Sequence, residues 1–247
     1  MREFVAVARF GGRLYWRDKV ALSTSVALSL GLGIGLPFMM AKVRPAEAGV
    51  LLDTHLGVLA MGLTVAALMQ TAVTLTARRD QLILKRMRAT GLHDREIIGG
   101  ELLNVAAQAV LLALTVCVVL YAAAGLRIPR DPVVLVLFVV AAAGVLSLLG
   151  AAWTAAISRA EVAAVMTMPW FLLAGVGAGG FGPVVQLLPS WVGTLLNLLP
   201  TSGFVAGARA AYTGQGDLLL PLLNLAVWAA VALAAIRLRF RWEPRKS

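Results

Sequence analysis

The chain has one cysteine and two histidines in 247 residues, and only 14% of it is charged. Each shortage removes a class of protein. One cysteine, Cys117, excludes an intrachain disulfide framework and a cysteine-based metal cluster. His55 and His93 stand apart in sequence from each other and from Cys117, which argues against a metal site. There is no G-x-x-x-x-G-K-[ST] phosphate loop, and the glycine-rich stretch 175–182 has no lysine to reach a phosphate. No G-x-S-x-G nucleophile elbow is present. The charged fraction is far below the roughly 25% of ordinary soluble domains.

What fills the chain instead is aliphatic. Hydrophobic residues make up 60% and aromatics 7%, so the apolar mass is chiefly Leu, Val and Ala. The mean hydropathy is +0.86. A bilayer-crossing helix needs about 20 mostly apolar residues. Runs of that kind cover 20–41, 51–77, 97–124, 133–157, 162–179 and 218–236. The interval 180–216 is less apolar and is interrupted by Pro183, Pro189 and Pro200. Proline removes a backbone donor and breaks helices, so two short re-entrant or interfacial helices are expected there. Asp53 and Glu101 fall near span ends, where they are expected to reach water. No ionisable residue is expected at mid-depth, which argues against a proton-driven pump.

The net charge is +10, and its distribution is that of a topology signal rather than a nucleic-acid surface. With both termini cytoplasmic, 17 Lys and Arg residues fall inside and five outside. The inside set includes six in one segment, 78–96, between two spans. That elbow is too basic for lipid and too short for a domain. The run 20–41 exceeds the usual signal-peptide core of 7–15 residues, and a retained first span is expected. Before it, Arg2, Arg9, Arg13 and Arg17 share one side of a helical projection, opposite Phe4, Val7, Gly11, Leu14 and Tyr15. Residues 1–19 thus read as an amphipathic helix in the headgroup plane, or as an ordinary basic tail. Gly31-x-x-x-Gly35 and Gly175-x-x-x-Gly179 are weak candidates for close helix contacts.

The elbow phrase Leu84-Lys85-Arg86-Met87-Arg88-Ala89-Thr90-Gly91-Leu92, then Arg95-Glu96 and a new span, resembles the coupling segment of the type-2 ABC exporter permeases. Gly179-Gly180-Phe181-Gly182-Pro183, Leu188-Pro189-Ser190-Trp191 and Leu199-Pro200 are similar to that family's region after the fifth span. Residues 204–214, with Arg209, are similar to its phrase before the last span. The order of parts fits along essentially the whole chain. Gly91 stands where the family usually has Pro, Gly180 where it has Ser, and the acidic residues before the coupling helix are reduced to Asp80.

The resemblance implies an all-α membrane protein of six transmembrane helices. It would have an N-terminal amphipathic helix, with Arg9, Arg13 and Arg17, and an extracellular re-entrant hairpin (180–216) between the fifth and sixth spans. The implied function is the permease subunit of an ATP-driven exporter in a bacterial plasma membrane. It would carry no cofactor and no enzyme activity of its own. Its partners would be two copies of an ABC ATPase carrying ATP-Mg, a second or sister permease, and the lipid bilayer, with no nucleic acid. The coupling helix 81–90 would dock in the ATPase. Arg79, Lys85, Arg86 and Arg88 would pair with acidic groove residues, and Leu82, Ile83 and Met87 would supply apolar contact. Thr90, Arg95 and Glu96 complete that surface, Glu96 in the first turn of the next span, and Gly91 would cap the helix. Phe181, Trp191 and Phe204 would be outer-gate aromatics, or for Trp191 an interfacial anchor. A path lined by Leu, Val, Ala and Gly suits a drug, antibiotic or lipid better than a sugar. The alternatives are a membrane-embedded lipid-modifying enzyme and a non-transporting scaffold for an ATPase.

Overall fold

A computed structural model describes residues 31–40, 42–43, 49–89, 91, 93–123, 125–182, 184 and 187–240. Every regular element among them is helical. In chain order they are α1 (Gly31–Met40), α2 (Val50–Asp80), α3 (Ile83–Ala89), α4 (Asp94–Ala123), α5 (Pro132–Trp153), α6 (Ala160–Gly177), α7 (Ser190–Leu196), α8 (Pro200–Thr213) and α9 (Leu219–Arg239). Five of them, α2, α4, α5, α6 and α9, are long and apolar enough to cross a membrane. They coincide with five of the six expected spans. Of the first expected span only α1 lies within the described residues. The expected amphipathic helix, with Arg9, Arg13 and Arg17, lies outside them.

Local chemistry sets the helix ends. Pro132 opens α5 at a position where a backbone donor has no partner, and the Asp131 carboxylate accepts the Val134 N–H at 3.1 Å. Pro200 opens α8 in the same way, and Pro189 precedes α7. Pro189 and Pro200 therefore mark the starts of two helices. Inside α2 the regular ladder widens to a π-turn over Thr64–Met69, where the Thr64 hydroxyl donates to the Ala60 carbonyl at 2.9 Å.

Helix α5 lies at the centre, against α2, α4, α8 and α9. Leu56, Leu63, Leu68, Leu120, Phe138, Val139, Leu146 and Phe204 fill the shared core. Gly150 of α5 is needed for that approach: a Cβ there would strike the Leu68 carbonyl oxygen within the π-turn and lie 2.9 Å from the Thr71 Cβ. The outward faces of α6 and α9 carry exposed Val165, Leu172, Leu220 and Val227, as expected of surfaces bathed in lipid.

Among the described residues the suspected small-residue contacts are not helix contacts. A Cβ at Gly31 or Gly35 meets nothing within 4 Å among the described residues. Gly175 makes room for the Phe181 ring, which comes from the loop after α6.

Candidate functional site

The elbow is built from the last turn of α2, the short helix α3 and the first turn of α4. Helix α2 ends because Gln81 and Leu82 turn the chain, with Leu82 N–H bonded to the Arg79 carbonyl at 3.0 Å. Leu82 does this at φ 57°, a left-handed conformation that a branched side chain rarely adopts. Helix α3 is anchored by Leu84, which is 1% exposed, while Ile83 and Met87 are half-buried. Lys85, Arg86, Arg88 and Leu82 face outward. Gly91, at φ 87°, ends the helix in the left-handed region, and its N–H reaches the Arg88 carbonyl at 3.1 Å. The Arg88 guanidinium also holds Asp94 at 2.9 Å, tying the end of α3 to the start of α4. Glu96 sits in the first turn of α4, where its carboxylate accepts the His93 N–H at 3.0 Å.

Arg79 was expected on the docking surface and is turned the other way. It is 2% exposed. Its guanidinium donates to the carbonyls of Thr154 at 3.2 Å, Ile157 at 3.0 Å and Ser158 at 3.2 Å, all in the turn after α5. The end of a helix leaves carbonyls without partners and carries partial negative charge, so a fork of cationic donors fits there. The neighbouring Asp80 completes the joint: its carboxylate accepts the Ala160 N–H at 2.7 Å, at the start of α6. One dipeptide at the end of α2 thus caps both sides of the α5–α6 turn.

Arg78, one helical step away, reaches Glu101 of α4 at 2.7 Å. Glu101 is 3% exposed, so it is a buried partner and not the solvated end residue expected from sequence. Arg95 is exposed and Glu96 half-buried; Thr90 lies outside the described residues. Sequence reasoning missed the anchor Leu84, the Arg78–Glu101 pair and the Asp80 cap. The adjacency of two arginines at a helix end was the available signal, since successive side chains point about 100° apart and cannot share one partner.

At the opposite end of the bundle the aromatics divide. Trp191 on α7 is 65% exposed. Phe181 is exposed and packs edge-on against Phe171 with centroids 5.9 Å apart. Phe204, expected at a gate, is a core residue at 1% exposure, because α8 turns Phe204, Gly207, Ala208 and Ala211 inward. The same end holds a buried polar group that spacing did not announce. His55 Nε2 lies 3.8 Å from Cys117 Sγ and 3.4 Å from the Tyr212 hydroxyl, which is 2.6 Å from that of Tyr121. The separation of histidine from cysteine in sequence is thus undone by folding. Even so, no group of three or more His, Cys, Asp or Glu side chains gathers among the described residues. Above this group Arg209 pairs with Asp53, linking α8 to the start of α2.

Five apolar helices of spanning length, the central α5 among them, with a short basic helix projecting from one end, define a multi-pass membrane protein. The chain belongs to the ABC-2 type transporter family, whose model matches residues 2–213. It is thus a transmembrane permease of an ABC transporter. No curated protein and no solved structure matches it.

Proposed function

We propose that this chain is the membrane subunit of an ATP-driven exporter, moving a hydrophobic or amphipathic cargo such as a drug, antibiotic or lipid. The observation that carries the reading is the elbow. Helix α3 presents Lys85, Arg86 and Arg88 to solvent, while Leu84 fixes it to the body and its neighbour Arg79 grips the α5–α6 turn. A solvent-facing helix bonded through its base to other spanning helices is suited to receive force from a partner and to pass it on. The partner is an ABC ATPase carrying ATP-Mg, with two copies per complex. A second copy of this chain, or a sister permease, completes the pathway.

In this reading both termini and α3 are cytoplasmic, and α7, α8 and the Asp53–Arg209 pair lie on the outer side. Docking uses Lys85, Arg86 and Arg88 with Leu82, Ile83 and Met87; Thr90, Arg95 and Glu96 stand at the margin. Closure of the ATPase pair presses the two elbows together, and the joint at Arg79 and Asp80 carries the displacement into α5 and α6 as a rigid-body transition. The outer interval 180–216 serves as a re-entrant gate, with Phe181 and Trp191 exposed upon it. Phe204 acts there only through packing.

The test is recovery and coupling. Purification in mild detergent with a co-expressed ABC ATPase recovers both chains, and R86E abolishes ATP-dependent efflux from cells while the permease still reaches the membrane. Full efflux by R86E together with K85E would remove α3 as the docking element.

A further inference from the structure

At the end of the bundle that carries α3, the helices α4, α5 and α9 leave a groove of about 510 Å³ between them. Its walls are apolar, with Ile98 and Leu102 from α4, Leu148 from α5 and Leu233 from α9. Its rim carries Arg95 from α4 and Arg237 from α9, both exposed. Asp94 also borders it, but the Arg88 guanidinium already engages that carboxylate at 2.9 Å. Among the described residues neither Arg95 nor Arg237 forms an ion pair. A cationic rim therefore stands over an apolar slot at the edge of a span, with no acidic group left among the described residues to satisfy it.

We infer that this groove binds one anionic phospholipid, its phosphate between Arg95 and Arg237 and the upper part of an acyl chain along Ile98, Leu102, Leu148 and Leu233. The chemistry matches at both ends. Guanidinium groups form paired hydrogen bonds to phosphate oxygens, and their weaker hydration suits them to a headgroup boundary. From Arg95 to Leu102 the helix runs about 10 Å, so the charged rim lies at the interface while the slot descends into hydrocarbon. Basic pockets between spans on the cytoplasmic side favour anionic headgroups for this reason.

Charge argues against the other occupants. Residues 1–30 contain five Lys or Arg against Glu3 and Asp18, and 241–247 contain three against Glu243, so both segments have the wrong sign. A second copy packed about a two-fold axis on this groove would oppose arginine to arginine.

The placement in the inner leaflet rests on the orientation proposed above; the binding itself does not. The purified full chain, stripped of lipid, is titrated in detergent with dioleoyl phosphatidylglycerol or dioleoyl phosphatidylcholine and read by native mass spectrometry. Phosphatidylglycerol is expected to bind on the order of tenfold more tightly. R95Q/R237Q should bring it to the phosphatidylcholine level, and R95K/R237K should keep much of the preference. Equal affinity of the unaltered chain for both lipids overturns the site, as does a preference that survives R95Q/R237Q. A disulfide-linked dimer formed by Leu233→Cys would assign the groove to a second copy and equally overturn it. Labelling of R237C in intact cells by a membrane-impermeant maleimide would sink the orientation, while the detergent titration would still judge the lipid site.

Discussion

The Arg79 guanidinium donates to the Ile157 carbonyl at 3.0 Å, joining the base of the elbow to the turn between α5 and α6. A buried cation is tolerated only when its donors are used, and Arg79 places its fork on three carbonyls. Removing it takes a donor from each of those carbonyls, of which Thr154 alone keeps a second, the Ile157 N–H at 3.2 Å, and frees α2 from the turn. R79A is expected to lower stability by about 3 kcal/mol, read as a fall in the melting temperature of the detergent-solubilised chain. R79K keeps the charge but loses the fork, and should fall between the two. A melting temperature for R79A equal to that of the unaltered chain would show that the joint contributes nothing.

The Arg78–Glu101 pair bears on α4 rather than on α5 and α6. Glu101 is buried and Arg78 largely so, and the ion pair is 2.7 Å long. Losing either partner strands the other, so the single variants R78A and E101A should each destabilise. The double variant should recover part of that loss, with a coupling energy of about 1–3 kcal/mol in a double-mutant cycle. Strict additivity of the two losses would show the pair to be idle.

These two arginines also mark the limit of what the sequence discloses. Helices α2, α4, α5, α6 and α9 are legible because a long uncharged run has few alternatives to crossing the bilayer, and the basic run at 78–96 is legible because it cannot remain in lipid. Gly91 announces its own bend. The direction of each charge is another matter. Hydropathy treats Arg78, Arg79 and Arg86 alike, whereas folding buries the first two against partners 23 and more positions away and leaves the third in solvent. Phe204 misleads for the related reason that a proline-bounded amphipathic helix can turn its aromatic inward as readily as outward. His55 and Cys117 meet across 62 positions, a pairing set by how α2 packs on α4 and not by any local pattern.

Two glycines of α5 provide an internal comparison of packing. A Cβ at Gly150 would collide with the Leu68 carbonyl, a backbone atom fixed by the π-turn, whereas one at Gly144 meets nothing within 4 Å among the described residues. G150A should therefore force α5 away from α2 and destabilise by roughly 1–3 kcal/mol. G144A should leave the melting temperature unchanged or raise it, since Ala is the better helix former by about 1 kcal/mol. The order of the two melting temperatures is the measurement, and G150A at or above G144A would contradict the close α2–α5 contact.

Leu82 offers the converse case, a residue whose conformation opposes its side chain. It holds φ at 57° between α2 and α3 with its side chain exposed, so it gives up little packing. Glycine adopts that region without the Cβ clash, which costs other residues about 1 kcal/mol or more. L82G is expected to leave the melting temperature unchanged or raise it, because relief of the clash offsets the greater freedom of the unfolded chain. L82V places a second branch at Cβ in the same left-handed position and should lower it. Valine tolerated as well as glycine would mean that the turn at Leu82 is not left-handed, and that α3 leaves α2 by another path.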